Sequence, residues 1–300
     1  MLSRIGLGTA QFGSRYGVSN RRGRPSSREI AAILDLASAA GIDLLDTAAA
    51  YGPAEREIGR WRCVKDVNSF RIVTKTLPID ALVVEREHAV QITERFMRSL
   101  DFLCHSSLHG LLVHHGDLML RPGAEHVADA LRRLRAEGLV AKIGVSVYDA
   151  AELEAVFERF DFDLVQVPIS VADQRLVNSG HLARLKRRGV EVHARSVFLQ
   201  GLLLMTPKQL PDAFAATVAP LLARFVRACA ELERSPLETC LEFVLGIPEV
   251  DCLLAGVNQA AELAQILAAA AADRPTAVDF APLAFENSRL LNPVHWSLMS

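Results

Sequence analysis

The chain repeats one unit eight times: a short apolar, β-branched run, then a segment with helical periodicity. The runs are "RIGLGTAQ", "IDLLDTA", "FRIVTKT", "HGLLVHH", "AKIGVSV", "FDLVQVPIS", "VEVHARSVF" and "VDCLLAGV". Continuous apolar runs suit strands buried on both faces, as in a parallel sheet covered by helices. The first helical segment, "PSSREIAAILDLASAAG", places Ile30, Ile33, Leu34 and Ala37 on one face. It has Ser26 and Glu29 at capping-box spacing and Gly41 as a stop. Then come "AEREIGRW", a helix over 81–100, "GAEHVADALRRLRAEG", "AAELEAVFERF", "GHLARLKRRG", a longer and less regular stretch over 212–246, and "NQAAELAQILAAAA". Eight such units predict an α/β fold, a (β/α)8 TIM barrel forming a single domain over 1–300. Two doubly wound domains are the competing arrangement, but no Pro/Gly/Ser-rich linker divides the chain.

Composition narrows the function. The net charge of -2 argues against nucleic-acid or membrane-surface partners, which call for a basic excess. The five cysteines (Cys63, Cys104, Cys229, Cys240 and Cys252) include no C-x-x-C pair, which reads as reduced thiols in a cytoplasmic protein. The N-terminus shows no secretion signal, and no apolar run approaches the ~18 residues of a membrane helix.

In a barrel of this kind the chemistry sits where the strands end. The second run ends at Asp46, the third at Lys75, the fourth at His114 and the fifth at Ser146. The sixth carries Gln166, and the seventh ends in "RSVF". Tyr51 follows Asp46 in "LLDTAAAYGPAE", among alanines too small to hide it. A phenol with a pKa near ~10 is a poor acid at neutral pH, but an ammonium within ~4–6 Å lowers that value by roughly 1–3 units. An aspartate keeps the ammonium charged, and a histidine holds a substrate oxygen. Together Tyr51, Lys75, Asp46 and His114 suit protonation of an oxygen on which charge develops, as when hydride lands on a carbonyl carbon. Singly, each has a plainer explanation: a turn former, a surface lysine, a core histidine. Jointly they match one mechanism. Strand alternation predicts that only one of His114 and His115 faces the cavity.

These segments, in this order and at these intervals, resemble the aldo-keto reductase superfamily over nearly the whole chain; "IGLGTAQFG", "GIDLLDTAAAYG", "RIVTKT", "LLVHH", "AKIGVSVYD" and "DLVQVPIS" carry the likeness. The resemblance implies an NAD(P)H-dependent oxidoreductase of aldehydes, ketones, sugars or alcohols, with NADP(H) as cofactor and NAD(H) as the alternative. It implies Tyr51 as general acid, Asp46 and Lys75 as its tuning pair and His114 as the carbonyl-orienting group. Ser146 and Gln166 would hold the nicotinamide carboxamide, and Ser196 and Gly256 would lie along the cofactor phosphates. Arg195 stands where many members place an aromatic residue against the nicotinamide, and a guanidinium plane can stack likewise. Members preferring NADPH carry Arg or Lys near the start of the "VNQAAEL" helix. Here that stretch has Glu262 and Gln265, and Arg274 lies well downstream.

Three other readings compete. Gly6 and Gly8 imitate a Rossmann start, but Gly13 is displaced and a polar loop replaces the expected helix. A nicotinamide-binding regulatory protein without turnover would be expected to have lost one of the four polar groups. A metal-dependent hydrolase using His114 and His115 has no H-x-H pair or carboxylate cluster behind it, so no metal is expected. In the tail, His295 and Trp296 fold over the pocket or pack outside the barrel.

Overall fold

The computed structural model describes residues 2–65, 70–210, 212–272, 278–285, 287–292 and 296. Eight strands, β1 (Ile5–Gly8), β2 (Leu44–Asp46), β3 (Arg71–Lys75), β4 (Leu108–Val113), β5 (Val140–Ser146), β6 (Leu164–Pro168), β7 (Glu191–Arg195) and β8 (Cys252–Gly256), close into a barrel in sequence order. Neighbours are parallel, and β8 pairs back onto β1. This is the (β/α)8 barrel expected from the repeat.

Two apolar clusters result. The larger lies between strands and outer helices; a smaller one consists of Leu44, Val73, Leu112, Leu164, Cys252 and Leu254. The period of two along a strand decides what stands above the small cluster. Two residues on from Leu44, Val73, Leu112, Leu164 and Leu254 come Asp46, Lys75, His114, Gln166 and Gly256. Each of these five strands therefore puts an apolar residue in the barrel and leads to a cleft residue at its exit.

The helices depart from expectation in instructive ways. Ser26 caps helix Ser27–Ala39 by accepting from Glu29 N at 3.2 Å, but Glu29 does not complete the box. Its carboxylate accepts instead from Ala260 N, at the start of helix Ala260–Ala271, at 2.7 Å. The helix expected over 81–100 runs over Arg86–Leu103, because Glu85 and His88 form a capping box. The stretch 212–246 breaks into helices Asp212–Glu231 and Pro236–Leu245. Glu233 is left-handed (φ 54°), and Ser235, Pro236 and Glu238 start a new helix. After β1 the chain makes one helical turn, Ala10–Gly13, rather than only a polar loop. Trp296 is buried in the larger core, donates from Nε1 to Leu290 O at 2.9 Å and does not line the cleft at the strand exits. His295 and Arg274 lie outside the described residues. No helix among the described residues is long and apolar enough to cross a membrane.

Candidate active site

At the exits of β2 and β3, Lys75 Nζ donates to both oxygens of Asp46 at 2.7 Å and to Thr47 O at 2.9 Å. An ammonium has three donors, and all three are used. The side chains are almost fully buried, with Lys75 2% and Asp46 7% exposed. Such a pair persists only when acceptors replace the lost water. Burial pulls the Lys75 ammonium below its ordinary pKa, and Asp46 partly restores it. Gln166 Nε2 donates to Asp46 Oδ1 at 2.6 Å, so β6 reaches across to the same carboxylate. Backbone bonds from Thr47 to Val73 O and from Ala49 to Lys75 O pin the following loop to β3.

That loop carries Tyr51. Its backbone lies so close to Gly13 that a Cβ at residue 13 would stand 1.8 Å from Tyr51 O; only glycine fits there. The phenol ring meets His114 edge-on (centroids 5.8 Å apart, planes at 80°), and Lys75 Nζ is 5.1 Å from its centroid. The expected lowering of the phenol pKa by Lys75 is not found. Burial pushes the Tyr51 phenol above its ordinary value, Asp46 adds to the rise, and Arg195 opposes it. The physical reason is burial, which disfavours the phenolate, with the Asp46 carboxylate adding to it.

His114 lies one residue past β4, and its backbone N donates to Thr76 Oγ1 at 3.3 Å. Its Nδ1 is buried without a hydrogen-bond partner. Burial, then Lys75, then His115, push its pKa down to about 3, so the imidazole is neutral at physiological pH. Of the two histidines only His114 borders the cavity, as expected, although neither lies within the strand. β4 has ended at Val113, and their rings stack at 4.8 Å with planes 7° apart. His114 borders the cavity, and His115 lies behind it.

One cleft of about 600 Å³ is bordered by Asp46, Tyr51, Lys75, His114, Ser146, Gln166, Arg195, Ser196 and Gly256, a volume suited to a small-molecule site. Arg195 stacks on Tyr148 (Cζ 4.3 Å from the centroid) and donates to Val147 O at 3.0 Å. Ser196 is left-handed (φ 60°), turning the chain sharply at the β7 exit. Gly256 leaves room for Gln11, whose Oε1 would stand 2.4 Å from a Cβ there.

The sequence reading missed Gln11, Tyr16, Tyr148, Gln200 and Asn258, which border the same cleft. Each follows a strand closely or sits in the loop that closes over one, so position within the βα-loops was the signal available. Among the described residues no group of three or more His, Cys, Asp or Glu side chains is arranged to hold a metal ion.

Comparison with known proteins agrees with this geometry. The aldo/keto reductase family model matches residues 4–282. Oxidoreductase YdhF of Escherichia coli strain K12 is 33% identical over 116 residues, 38% of this chain and 37% of that protein. The match therefore spans little more than a third of that relative's length. An aldo-keto reductase of Bacillus halodurans, in its holo form, superposes with a TM-score of 0.73 at 18% identity, covering 91% of this chain and 88% of that one. The glycerol dehydrogenase of Gluconobacter oxydans does so with a TM-score of 0.67 at 18% identity, over 91% and 88%. At those identities the structures attest the fold. The family match spans all eight strands and every strand-exit residue described above, and the chain accordingly belongs to the aldo/keto reductase family of oxidoreductases.

Proposed function

We propose that this chain reduces an aldehyde or ketone with NAD(P)H, or oxidises the matching alcohol or sugar in reverse, with Tyr51 as general acid and base. The carrying observation is that one cleft is bordered by the Tyr51 phenol and the His114 imidazole, edge to face, beside the buried Lys75–Asp46 ion pair. When bound, the nicotinamide supplies hydride to the carbonyl carbon. Tyr51 gives its phenolic proton to the carbonyl oxygen. The phenolate left behind is stabilised by the ammonium of Lys75, 5.1 Å from the ring centroid and held by Asp46, which Gln166 in turn fixes. Neutral His114 orients the oxygen by hydrogen bond.

The donor set suits a nicotinamide. Gln166 commits its amide nitrogen to Asp46, which leaves its carbonyl oxygen for the carboxamide N–H, beside the Ser146 hydroxyl. Ser196 and Gly256, which border the same cleft, would hold the cofactor phosphates, and Arg195, packed on Tyr148, would support the nicotinamide. The preference for NADP(H) implied by resemblance meets a mixed corner. The N–H of Asn258 is taken by Glu262 at 2.7 Å and that of Ala260 by Glu29 at 2.7 Å. Two carboxylates near a helix start disfavour an added phosphate, whereas Arg22, whose guanidinium lies against the Gln259 side chain, favours it. This balance supports NADH as well as NADPH.

The test is titration of both cofactors by fluorescence, then cofactor oxidation across a panel of aldehydes and sugars, for wild type and Tyr51→Phe. The variant should bind cofactor as wild type does and lose roughly 10²–10⁴-fold in turnover. An undiminished rate removes Tyr51 from the acid role. Tight binding without turnover on any substrate supports the regulatory alternative.

A further inference from the structure

Cys63 and Cys104 stand together although 41 positions apart in sequence, their Sγ atoms 2.6 Å from one another. A disulfide bond is about 2.05 Å long, so small side-chain rotations separate the thiol pair from a bond. Cys63 is exposed and lies in helix Ala54–Lys65; Cys104 is partly buried and caps helix Arg86–Leu103. Cys104 is left-handed (φ 55°, ψ 42°), a helix-ending position that glycine fills without strain. A cysteine retained in that conformation is a second, independent feature of the pair. The other three cysteines are buried.

Helix Ala54–Lys65 follows the Tyr51 loop directly, and helix Arg86–Leu103 bonds to that loop through Arg95. Near the loop, Glu55 pairs with Arg95 at 2.6 Å and accepts from Thr74 Oγ1 at 2.7 Å, while Arg95 donates to Ala49 O at 3.2 Å. Midway, Gly59 packs on Phe102, where a Cβ would stand 1.9 Å from the carbonyl oxygen. At the far end Arg62 donates to Cys104 O beside the thiols. The contact is thus rigid along its length, and the sulfurs meet at the end remote from the cleft.

We propose that Cys63 and Cys104 form a reversible dithiol–disulfide site, closed by a peroxide oxidant, that staples these two helices together. The exposed Cys63 thiolate attacks a peroxide oxygen. The O–O bond breaks, Cys63 becomes a sulfenic acid, and the leaving hydroxide takes a proton to become water. Cys104 sulfur then attacks Cys63 sulfur; the S–S bond forms, the S–O bond breaks, and the Cys104 proton leaves in a second water. Two thiols are oxidised by two electrons and one peroxide is reduced. A dithiol reductant returns two electrons and two protons. The hydrogen bond with Cys63, and then burial, raise the Cys104 thiol pKa, in keeping with its role as the resolving partner. The site does not depend on the proposed carbonyl chemistry.

The full chain is treated with hydrogen peroxide, then denatured, alkylated and mapped by mass spectrometry. Three of the five cysteines should remain alkylatable, with a Cys63–Cys104 linked peptide. The melting temperature should rise by roughly 3–6 °C, as expected for closing a loop of this length in a chain of this size. Dithiothreitol should reverse both changes, and Cys63→Ser and Cys104→Ser should each abolish both. Because Cys63 is exposed, Cys63→Ser folds even if Cys104→Ser does not. Five alkylated thiols after peroxide, a Cys63 sulfinic acid with Cys104 still free, or cross-linking between molecules would each overturn the proposal.

Discussion

The two ends of the barrel are built from the same strands and do opposite things. β3 reads Arg71, Val73, Lys75 along one face; β5 reads Lys142, Gly144, Ser146; β7 reads Glu191, His193, Arg195. The first of each lies at the strand entrance and the last at the exit. At the entrance end the charges answer one another. Glu191 accepts from Lys142 at 2.5 Å, His193 at 2.7 Å and His109 at 3.1 Å, while Arg71 pairs with Asp43 and Lys186 with Asp251. The space they enclose is about 310 Å³. At the exit end one ion pair is satisfied, and the phenol, imidazole and hydroxyl around it face a cleft about twice that size. A polar group whose partner is already present stabilises the fold; one whose partner must arrive from outside is available for chemistry.

The largest effect expected from breaking this contrast is at Lys75. Lys75→Met should reduce turnover about as much as loss of the phenol. It also leaves the Asp46 carboxylate buried without its cation, which costs about 3–5 kcal/mol in urea unfolding. Asp46→Asn added to it should recover much of that stability and none of the turnover. Normal stability in the single variant would show that the pair is not held as tightly as its geometry indicates.

Glu191→Gln comes next, at about 1–3 kcal/mol, because its partners Lys142 and Arg71 are partly exposed and screened. Turnover per folded molecule should not change. Burial alone would raise the Glu191 pKa, but hydrogen bonds from His109, His193 and Lys142 outweigh it and hold the carboxyl well below the usual range. A depressed acid contributes stability that is complete above its unfolded pKa and is lost as pH falls toward the folded one. Wild type should therefore lose stability on acidification below about pH 4–5, and Glu191→Gln should lose less. A variant with reduced turnover at full stability would erase the distinction between the two ends.

The smallest effect is at His114. The unfolded imidazole takes up a proton below about 6.5, the folded one only near a pKa of about 3. The unfolded state thus binds more protons between these values, and stability falls as pH drops through that interval. Between pH 7 and 5 His114→Gln should lose less stability than wild type, by on the order of 1 kcal/mol. Equal losses in urea midpoints at the two pH values would mean that His114 is charged in the folded state.

Much of this was legible in the chain itself. Apolar runs of strand length marked all eight strands, and the polar residues named at the ends of the second to seventh border the cleft. Ser235, Pro236 and Glu238 would also have marked the break within 212–246, had capping been weighed above overall helical character. Other features concern pairs that no local pattern joins. Gln166 reaches Asp46 across 120 positions, Glu29 caps a helix 231 positions away, and Cys63 meets Cys104. Of the histidine pair only His114 borders the cleft, as expected, although both lie past Val113, where β4 stops.

The sequence by itself determined the order of elements and, through the period of two, which residues stand at the strand exits. Only closure of the barrel decided which of those residues touch, because contacts across a ring of parallel strands join segments far apart in sequence. Only closure decided their protonation as well. The field at Tyr51 is set first by how deeply it is buried and then by Asp46 and Arg195, and all of these follow from packing in three dimensions.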